Sequence, residues 1–253
     1  MCYNTFCMST IDFHSHILAH MDDGAKNTAM SMEMLKQMRK QGTDLVIASS
    51  HFYARRNSVD EFLHRREDAL AHLQESLLSA FGSEEQVSRN VPAIVPGAEA
   101  AFFSGIENLP QLEDLCLQGT RTLLLEMPFV RWSSYEFNAV SSIIYNRRLN
   151  VVLAHIERYL GENKGNETFD RLLSLPVTLQ VNAESLLPLF GSRPCINLFK
   201  EGKAQLLGSD AHNLDKRPPN LDKGRKVLEK KVGRDILKLI DETGARLLAP
   251  CKG

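Results

Sequence analysis

Seven short apolar runs recur along the chain, and each closes on a residue able to bind a metal or form polar contacts. Ile11-Asp12-Phe13 leads into His14 and His16, Leu45 to Ser50 into His51, and Ala93 to Ala98 into Glu99. Thr122 to Leu125 ends in Glu126, Val151 to Ala154 in His155, Thr178 to Val181 in Asn182, and Ala204 to Ser209 in Asp210. Runs this short fit strands, and the longer segments between them carry helical periodicity. Alternating strand and helix predicts an α/β fold with parallel strands and right-handed crossovers. Seven such units predict a closed or nearly closed (β/α) barrel. In that architecture the functional groups stand at the C-terminal ends of the strands. Six of the seven strand ends deliver metal-ligand residue types there.

The helical segments are read from spacing and caps. Met30, Met34 and Met38, with Leu35, form an apolar stripe before Gly42, and are core filling rather than a cofactor groove. Ser58 and Glu61 have capping-box spacing, and Phe62, Ala69, Leu70, Leu73, Leu77 and Phe81 continue the helix to Gly82. Tyr135 to Arg148 and Phe169 to Leu175 predict shorter helices. Val227, Leu228, Ile236, Leu237 and Ile240 predict one last helix closed by Gly244. Ser83 to Pro92 and Gly161 to Thr168 read as solvated loops, and Pro218-Pro219 as a stiff turn. No linker or internal repeat divides the chain, so residues 1–253 form a single domain on this reading.

Composition excludes several classes. With 43% hydrophobic and 24% charged residues the chain is an ordinary globular sequence. Thirty Lys+Arg against 31 Asp+Glu leave no general basic footprint, so no nucleic-acid partner is expected. Cys2, Cys7, Cys116, Cys195 and Cys251 are odd in number and scattered, which fits a reducing cytoplasm rather than a disulfide framework. No basic-then-apolar leader occupies Met1 to Thr10, and no apolar stretch approaches the roughly 20 residues of a membrane span. A cytoplasmic protein, brought to a membrane only by a partner, is expected.

His14 and His16 are two apart on a strand, so both imidazoles point to one side. Alone, such a pair is equally a metal site or two polar residues near a turn. With Asp23, His51, Glu99, Glu126, His155, Asp210 and His212 they make five imidazoles and four carboxylates. One zinc site needs only three or four protein ligands, so this set predicts two or three metals with a bridging carboxylate. Nitrogen and oxygen donors without thiolate suit manganese, iron or zinc. His20, His64 and His72 lie outside the strand ends and are taken as structural or surface residues. Arg158 and Arg217 closely follow His155 and His212, and a guanidinium fork matches phosphate better than a carbonyl. Arg55 and Arg56, just after His51, are either a further phosphate contact or a solvated loop. No Gly-x-Ser-x-Gly elbow or phosphate-cradling Gly-x-x-x-x-Gly-Lys loop is present. Nor does an arginine follow any cysteine at the spacing of a cysteine phosphatase.

The motifs Asp12-Phe13-His14-Ser15-His16, Asp22-Asp23-Gly24, Ser49-Ser50-His51, Gly97-Ala98-Glu99 and Leu125-Glu126 together resemble the PHP (polymerase and histidinol phosphatase) superfamily. Ala154-His155-Ile156-Glu157-Arg158-Tyr159 and Ser209-Asp210-Ala211-His212-Asn213-Leu214, with Arg217-Pro218-Pro219, are the most specific matches. They are most similar to the bacterial CpsB/YwqE-type manganese-dependent protein-tyrosine phosphatases, linked to capsule and exopolysaccharide synthesis. The resemblance implies a distorted (β/α)7, TIM-like barrel and three metals. His14, His16, Glu99 and Asp210 would hold the first. Glu99 would bridge to the second, completed by Glu126 and His155, and Asp23, His51 and His212 would hold the third. Arg158 and Arg217 match arginines that bind the substrate phosphate, with His155 and Asp210 essential to turnover. The implied partner is a phosphotyrosine protein, namely a tyrosine kinase of polysaccharide synthesis.

Two features depart from the family pattern. The chain starts ten residues before its first ligand motif, so residues 1–10 form an N-terminal extension, and Met8 offers a second start. Met127-Pro128-Phe129-Val130-Arg131-Trp132 does not closely match relatives and is expected to shape substrate choice. The alternatives are a small-molecule phosphatase such as histidinol phosphatase, a metal-dependent amidohydrolase, and a metal-binding adaptor without turnover. The amidohydrolase wants a strand-end lysine where Glu99 and Glu126 stand, and the adaptor predicts a missing ligand.

Overall fold

Helix boundaries follow the capping chemistry. Ser58 accepts a hydrogen bond from the Glu61 N–H, and the Glu61 carboxylate accepts one from the Ser58 N–H. The helix between them and Gly82 is α2 (Val59–Phe81), with Gly82 in the left-handed region at φ 81. The structure, a computed structural model, describes residues 9–188 and 191–250. Cys2, Cys7, Met8 and Cys251 lie outside the described residues, and Cys116 and Cys195 are buried. The Met stripe lies on α1 (Thr28–Lys40), which is capped by Asn27 and buries Met34, Leu35 and Met38.

The strands are β1 (Ile11–Ser15), β2 (Leu45–Ala48), β3 (His51–Phe52), β4 (Ala93–Pro96), β5 (Glu99–Ala101), β6 (Thr122–Glu126), β7 (Asn150–Leu153), β8 (Thr178–Asn182) and β9 (Leu206–Gly208). All pair in parallel, in the orders β1-β2-β4 and β3-β5-β6-β7-β8-β9. Asp210 N–H donates to His14 O at 2.8 Å and His16 N–H to Ala211 O at 2.9 Å, joining the end of β1 to the segment after β9. The result is an α/β fold around a curled parallel sheet.

Two of the seven apolar runs divide, which the sequence did not predict. Leu45–Ser50 breaks at Ser49-Ser50 into β2 and β3, and Ala93–Ala98 breaks at Gly97-Ala98 into β4 and β5. A Cβ on Gly97 would lie 2.5 Å from Leu117 Cδ2, so glycine permits the close approach at that break. His51 and Glu99 therefore open second strands instead of closing first ones.

Both faces of the strands are buried. Ile11, Phe13, Leu45, Ile47, Leu124, Val152 and Leu206 cluster with Leu247 and Leu248. The alternate residues Val46, Leu123, Leu125, Val151, Leu153, Val181 and Leu207 join a larger cluster with Met34, Phe62, Leu73, Ile143 and Leu172. That period-two division is what a parallel sheet covered on both faces requires.

The remaining helices are α3 (Glu84–Asn90), α4 (Ser134–Tyr145), α5 (Glu167–Leu173), α6 (Arg193–Lys200), α7 (Leu221–Lys231) and α8 (Asp235–Leu247). α3 replaces the loop expected over Ser83–Pro92. It buries no residue, and Ser83 caps it by accepting from the Gln86 N–H, so it lacks the apolar stripe that marks a helix. The single last helix is two, parted at Gly233 with φ 125. Gly244 sits inside α8 instead of ending it: a Cβ there would lie 3.0 Å from Ile11 Cδ1, so it permits close packing on β1. α6 escaped the sequence reading although it buries Cys195, Ile196, Leu198 and Phe199.

Candidate metal centre

The cluster begins with β1. His14 and His16 are wholly buried, and their Nε2 atoms face each other at 3.2 Å. Glu99 Oε2 lies 3.1 Å from His14 Nε2, 3.3 Å from His16 Nε2 and 3.0 Å from His51 Nδ1. Its other oxygen accepts from His155 Nε2 at 2.8 Å, and Glu126 Oε1 stands 3.5 Å from the same nitrogen. Asp210 Oδ1 lies 3.6 Å from His14 Nε2 and 3.4 Å from His16 Nε2. At the open side, Asp23 Oδ1 is 3.5 Å from His212 Nε2 and 3.7 Å from His51 Nε2. All nine residues singled out as ligands thus meet in one place.

The donor set fits metal ions. Glu99 Oε2, His51 Nδ1 and His212 Nε2 are buried close to other polar atoms, yet none makes a well-aligned hydrogen bond among the described residues. A buried polar atom left this way is costly unless something else satisfies it. Ligand atoms of His16, His51 and His212, of His14, His16 and Asp210, and of His51, Glu99 and Glu126 each gather within 4.8 Å. Imidazole and carboxylate without thiolate suit manganese, iron or zinc.

The arginines converge on one oxygen. Arg158 Nη2 and Arg217 Nη2 each donate to Asp210 Oδ2 at 2.6 Å, and Asn182 Nδ2 donates to it at 2.7 Å. Both guanidiniums are about one third exposed, so they face the open side of the cluster. Arg55 and Arg56 stay exposed, and Arg56 lies over the Tyr53 ring at 4.8 Å. His20, His64 and His72 are exposed, and none is among the residues whose ligand atoms gather there.

Several supporting residues were not read from the sequence. Asp22 Oδ2 accepts from His16 Nδ1 and from the His51 N–H, both at 2.8 Å, fixing which His16 nitrogen faces the cluster. Gln180 Oε1 accepts from the His155 N–H at 2.8 Å and lies 3.2 Å from His14 Nδ1. Tyr159 OH lies 3.2 Å from His155 Nδ1 and accepts from the Met127 N–H. The signal for Gln180 was a polar residue two before Asn182, on the same face of an apolar strand. Asp22 adjoined a residue already singled out.

Charge in the cluster is strongly coupled. Burial resists ionisation of Asp210 and Glu99, yet the neighbouring imidazoles hold both carboxyls well below the usual carboxylate range. Burial also opposes protonation of His155, but Glu126 and Glu99 push its pKa up to about 9. His212 is pushed down to about 4 by burial and by His16 beside it. Adjacent acids and bases of such opposite tendency are typical of functional sites.

Buried imidazoles and carboxylates gathered at one edge of a curled parallel sheet define the class, an α/β protein with a candidate metal centre. A family described as "Capsular polysaccharide synthesis, CpsB/CapC" matches residues 10–248, and the chain belongs to that family. The tyrosine-protein phosphatase YwqE of Bacillus subtilis (strain 168) is 27% identical over 246 residues, 94% of this chain and 91% of that one. The tyrosine-protein phosphatase CpsB of Streptococcus pneumoniae is 26% identical over 236 residues, 88% of this chain and 91% of that one. A chain from the crystal structures of those two proteins, described as unique metal-dependent tyrosine phosphatases, superposes with a TM-score of 0.80 at 24% identity. It covers 96% of this chain and 100% of its own length, and shows the shared fold.

Proposed function

We propose that this chain is a metal-dependent protein-tyrosine phosphatase. The observation that carries the reading is the pair of guanidiniums converging at 2.6 Å on the oxygen of Asp210 that faces away from the imidazoles. Two arginines at the open side of a cluster of nine metal-ligand residues form a phosphate seat. The phosphatase names of the relatives support the same chemistry.

The seven strand runs are read as a distorted (β/α)7 barrel of the PHP, TIM-like kind, forming one domain. Two or three divalent ions, manganese first among them with iron or zinc as substitutes, are assigned to the cluster. His14, His16, Glu99 and Asp210 would hold one, Glu99, Glu126 and His155 a second, and Asp23, His51 and His212 a third. When bound, such ions would supply Lewis-acid polarisation of a phosphoryl group and would acidify water near it. The chain's own groups do the rest. Arg158 and Arg217 bind and orient the phosphate oxygens, and their charge offsets that developing on the phosphoryl group. Asp22, Gln180 and Tyr159 orient His16, His14 and His155. Asp210 aligns the two arginines.

The substrate class assigned is a phosphotyrosine protein, namely a tyrosine kinase of polysaccharide synthesis, with the enzyme cytoplasmic and recruited to the membrane by that partner. Among the described residues no helix is long and apolar enough to cross a membrane. Purified protein with manganese should hydrolyse an aryl phosphate, lose the activity to a chelator, and prefer a phosphotyrosyl peptide to histidinol phosphate in kcat/KM. Arg158→Ala should raise KM. Full activity after exhaustive chelation would overturn the reading.

A further inference from the structure

Phe129 and Val130 are 55% and 51% exposed, an apolar pair left in water at the edge of the cluster. They sit on the loop after β6, three and four residues beyond Glu126. The Phe129 ring stacks beside the His155 imidazole, with 6.1 Å between centroids and 16° between planes, and lies 5.2 Å from the Tyr159 ring. One part of this aromatic side chain touches the site, and the rest faces solvent.

The loop holds Phe129 there by an extensive framework. Trp132 is buried, its Nε1–H donates to Pro128 O at 3.0 Å, and its backbone N–H donates to Asn163 Oδ1 at 2.8 Å. Asn166 Nδ2 donates to Trp132 O at 2.8 Å, and Arg131 donates to the carbonyls of Lys164 and Gly165. At the near end, Met127 N–H donates to Tyr159 OH at 3.0 Å. Both ends of the six-residue loop are tied down while its tip stays exposed. A surface fixed before its ligand arrives loses little freedom on binding.

We propose that Phe129, flanked by Val130, is the specificity-determining surface for the alcohol portion of the phosphate ester, and selects an aryl group over an alkyl group. The inference rests on the phosphatase reading and deepens it. With phosphate held at Arg158 and Arg217, the ester group leaves the cluster past His155, where the Phe129 ring offers a flat face. A phenyl ring can stack there at the 4.5–7 Å centroid spacing of aromatic pairs, and an alkyl chain cannot. Tyr53, across the cluster beside His51, is less available because the Arg56 guanidinium already covers its ring at 4.8 Å.

The test compares phenyl phosphate with n-butyl phosphate as substrates of the manganese-loaded full chain, and phenylphosphonate with n-butylphosphonate as bound inhibitors. Phe129→Ala should lose about tenfold in kcat/KM on phenyl phosphate, carried by KM, with less than about twofold change on n-butyl phosphate. Calorimetric affinity for phenylphosphonate should fall in parallel, and that for n-butylphosphonate should hold. Phe129→Trp should restore the preference, and Phe129→Leu, apolar but unable to stack, should not. Equal losses on both substrates, an unchanged Phe129→Ala, or full rescue by Phe129→Leu would overturn the inference while leaving the phosphatase reading standing. A wild-type chain inactive on phenyl phosphate and indifferent to Arg158→Ala would overturn both.

Discussion

Replacing Asp22 with Asn tests whether the buried imidazoles are oriented for metal. The Asp22 carboxylate receives three hydrogen bonds: His16 Nδ1 and His51 N–H on Oδ2, both at 2.8 Å, and Gly24 N–H on Oδ1 at 2.9 Å. An amide has one acceptor oxygen. If that oxygen takes the place of Oδ2, the NH2 group faces the Gly24 N–H, donor against donor. If it takes the place of Oδ1, the NH2 group faces both the His51 N–H and His16 Nδ1. His16 can then answer only by moving its proton to Nε2, the nitrogen that faces Glu99 and Asp210. The second orientation loses the bond to His16, and the first keeps it but removes the carboxylate charge that raises the basicity of His16 and sets two donors together at Gly24. Loss of an outer partner of a metal-bound histidine typically costs about 10–100-fold in metal affinity, or about 1.4–2.8 kcal/mol. Manganese affinity measured by chelator competition should fall by that amount in Asp22→Asn, with the melting of the metal-free protein as a control for folding. A folded Asp22→Asn that binds manganese within about twofold of wild type would refute the reasoning.

Two further outcomes are expected. In Gly208→Ala the new methyl would lie 2.6 Å from His14 Cβ and 3.0 Å from His14 N, so urea denaturation should show a loss of about 1–3 kcal/mol. The hydrogen bond from Arg147 holds the Glu113 carboxyl below its ordinary range, so the pair stabilises the fold above the unfolded carboxylate pKa and ceases to as pH falls through the folded one. Melting curves of Arg147→Ala should therefore show a larger deficit against wild type at neutral pH than in acid.

The sequence disclosed what local spacing encodes. His14 and His16 share a face because strands have period two, and His155 and Asp210 each follow a short apolar run, so the strand-end rule found them. Ser58 and Glu61 declared a helix start because the capping box lies within four residues. What stayed hidden depends on contacts distant in sequence. Leu45 to Ser50 is one apolar run by composition, and it divides because the curled sheet draws His51 against Glu99 while Ala48 stays beside Pro96. α3 carries a single apolar residue, Val87, so no periodicity announced it. Gln180 is an ordinary polar residue until folding places it against His14 and the His155 N–H.

Fold and candidate site meet in the backbone of two residues. His155 has φ 34 and Asp210 has φ 54, both in the left-handed region that side chains other than glycine avoid. Such conformations cost about 1–3 kcal/mol each and persist only where the surroundings over-determine them. Both residues lie just beyond a strand, β7 or β9, where the chain turns sharply. The His155 N–H is held by Gln180 Oε1 from β8, and the Asp210 N–H by His14 O from β1, each at 2.8 Å. The bond that steadies Asp210 is also one of those joining β1 to the segment after β9. Closing the sheet and aiming that carboxylate at the His14 and His16 nitrogens are therefore a single structural act. Gln180 does for His155 what the β1 carbonyl does for Asp210, so a residue assigned no metal governs where a proposed ligand points.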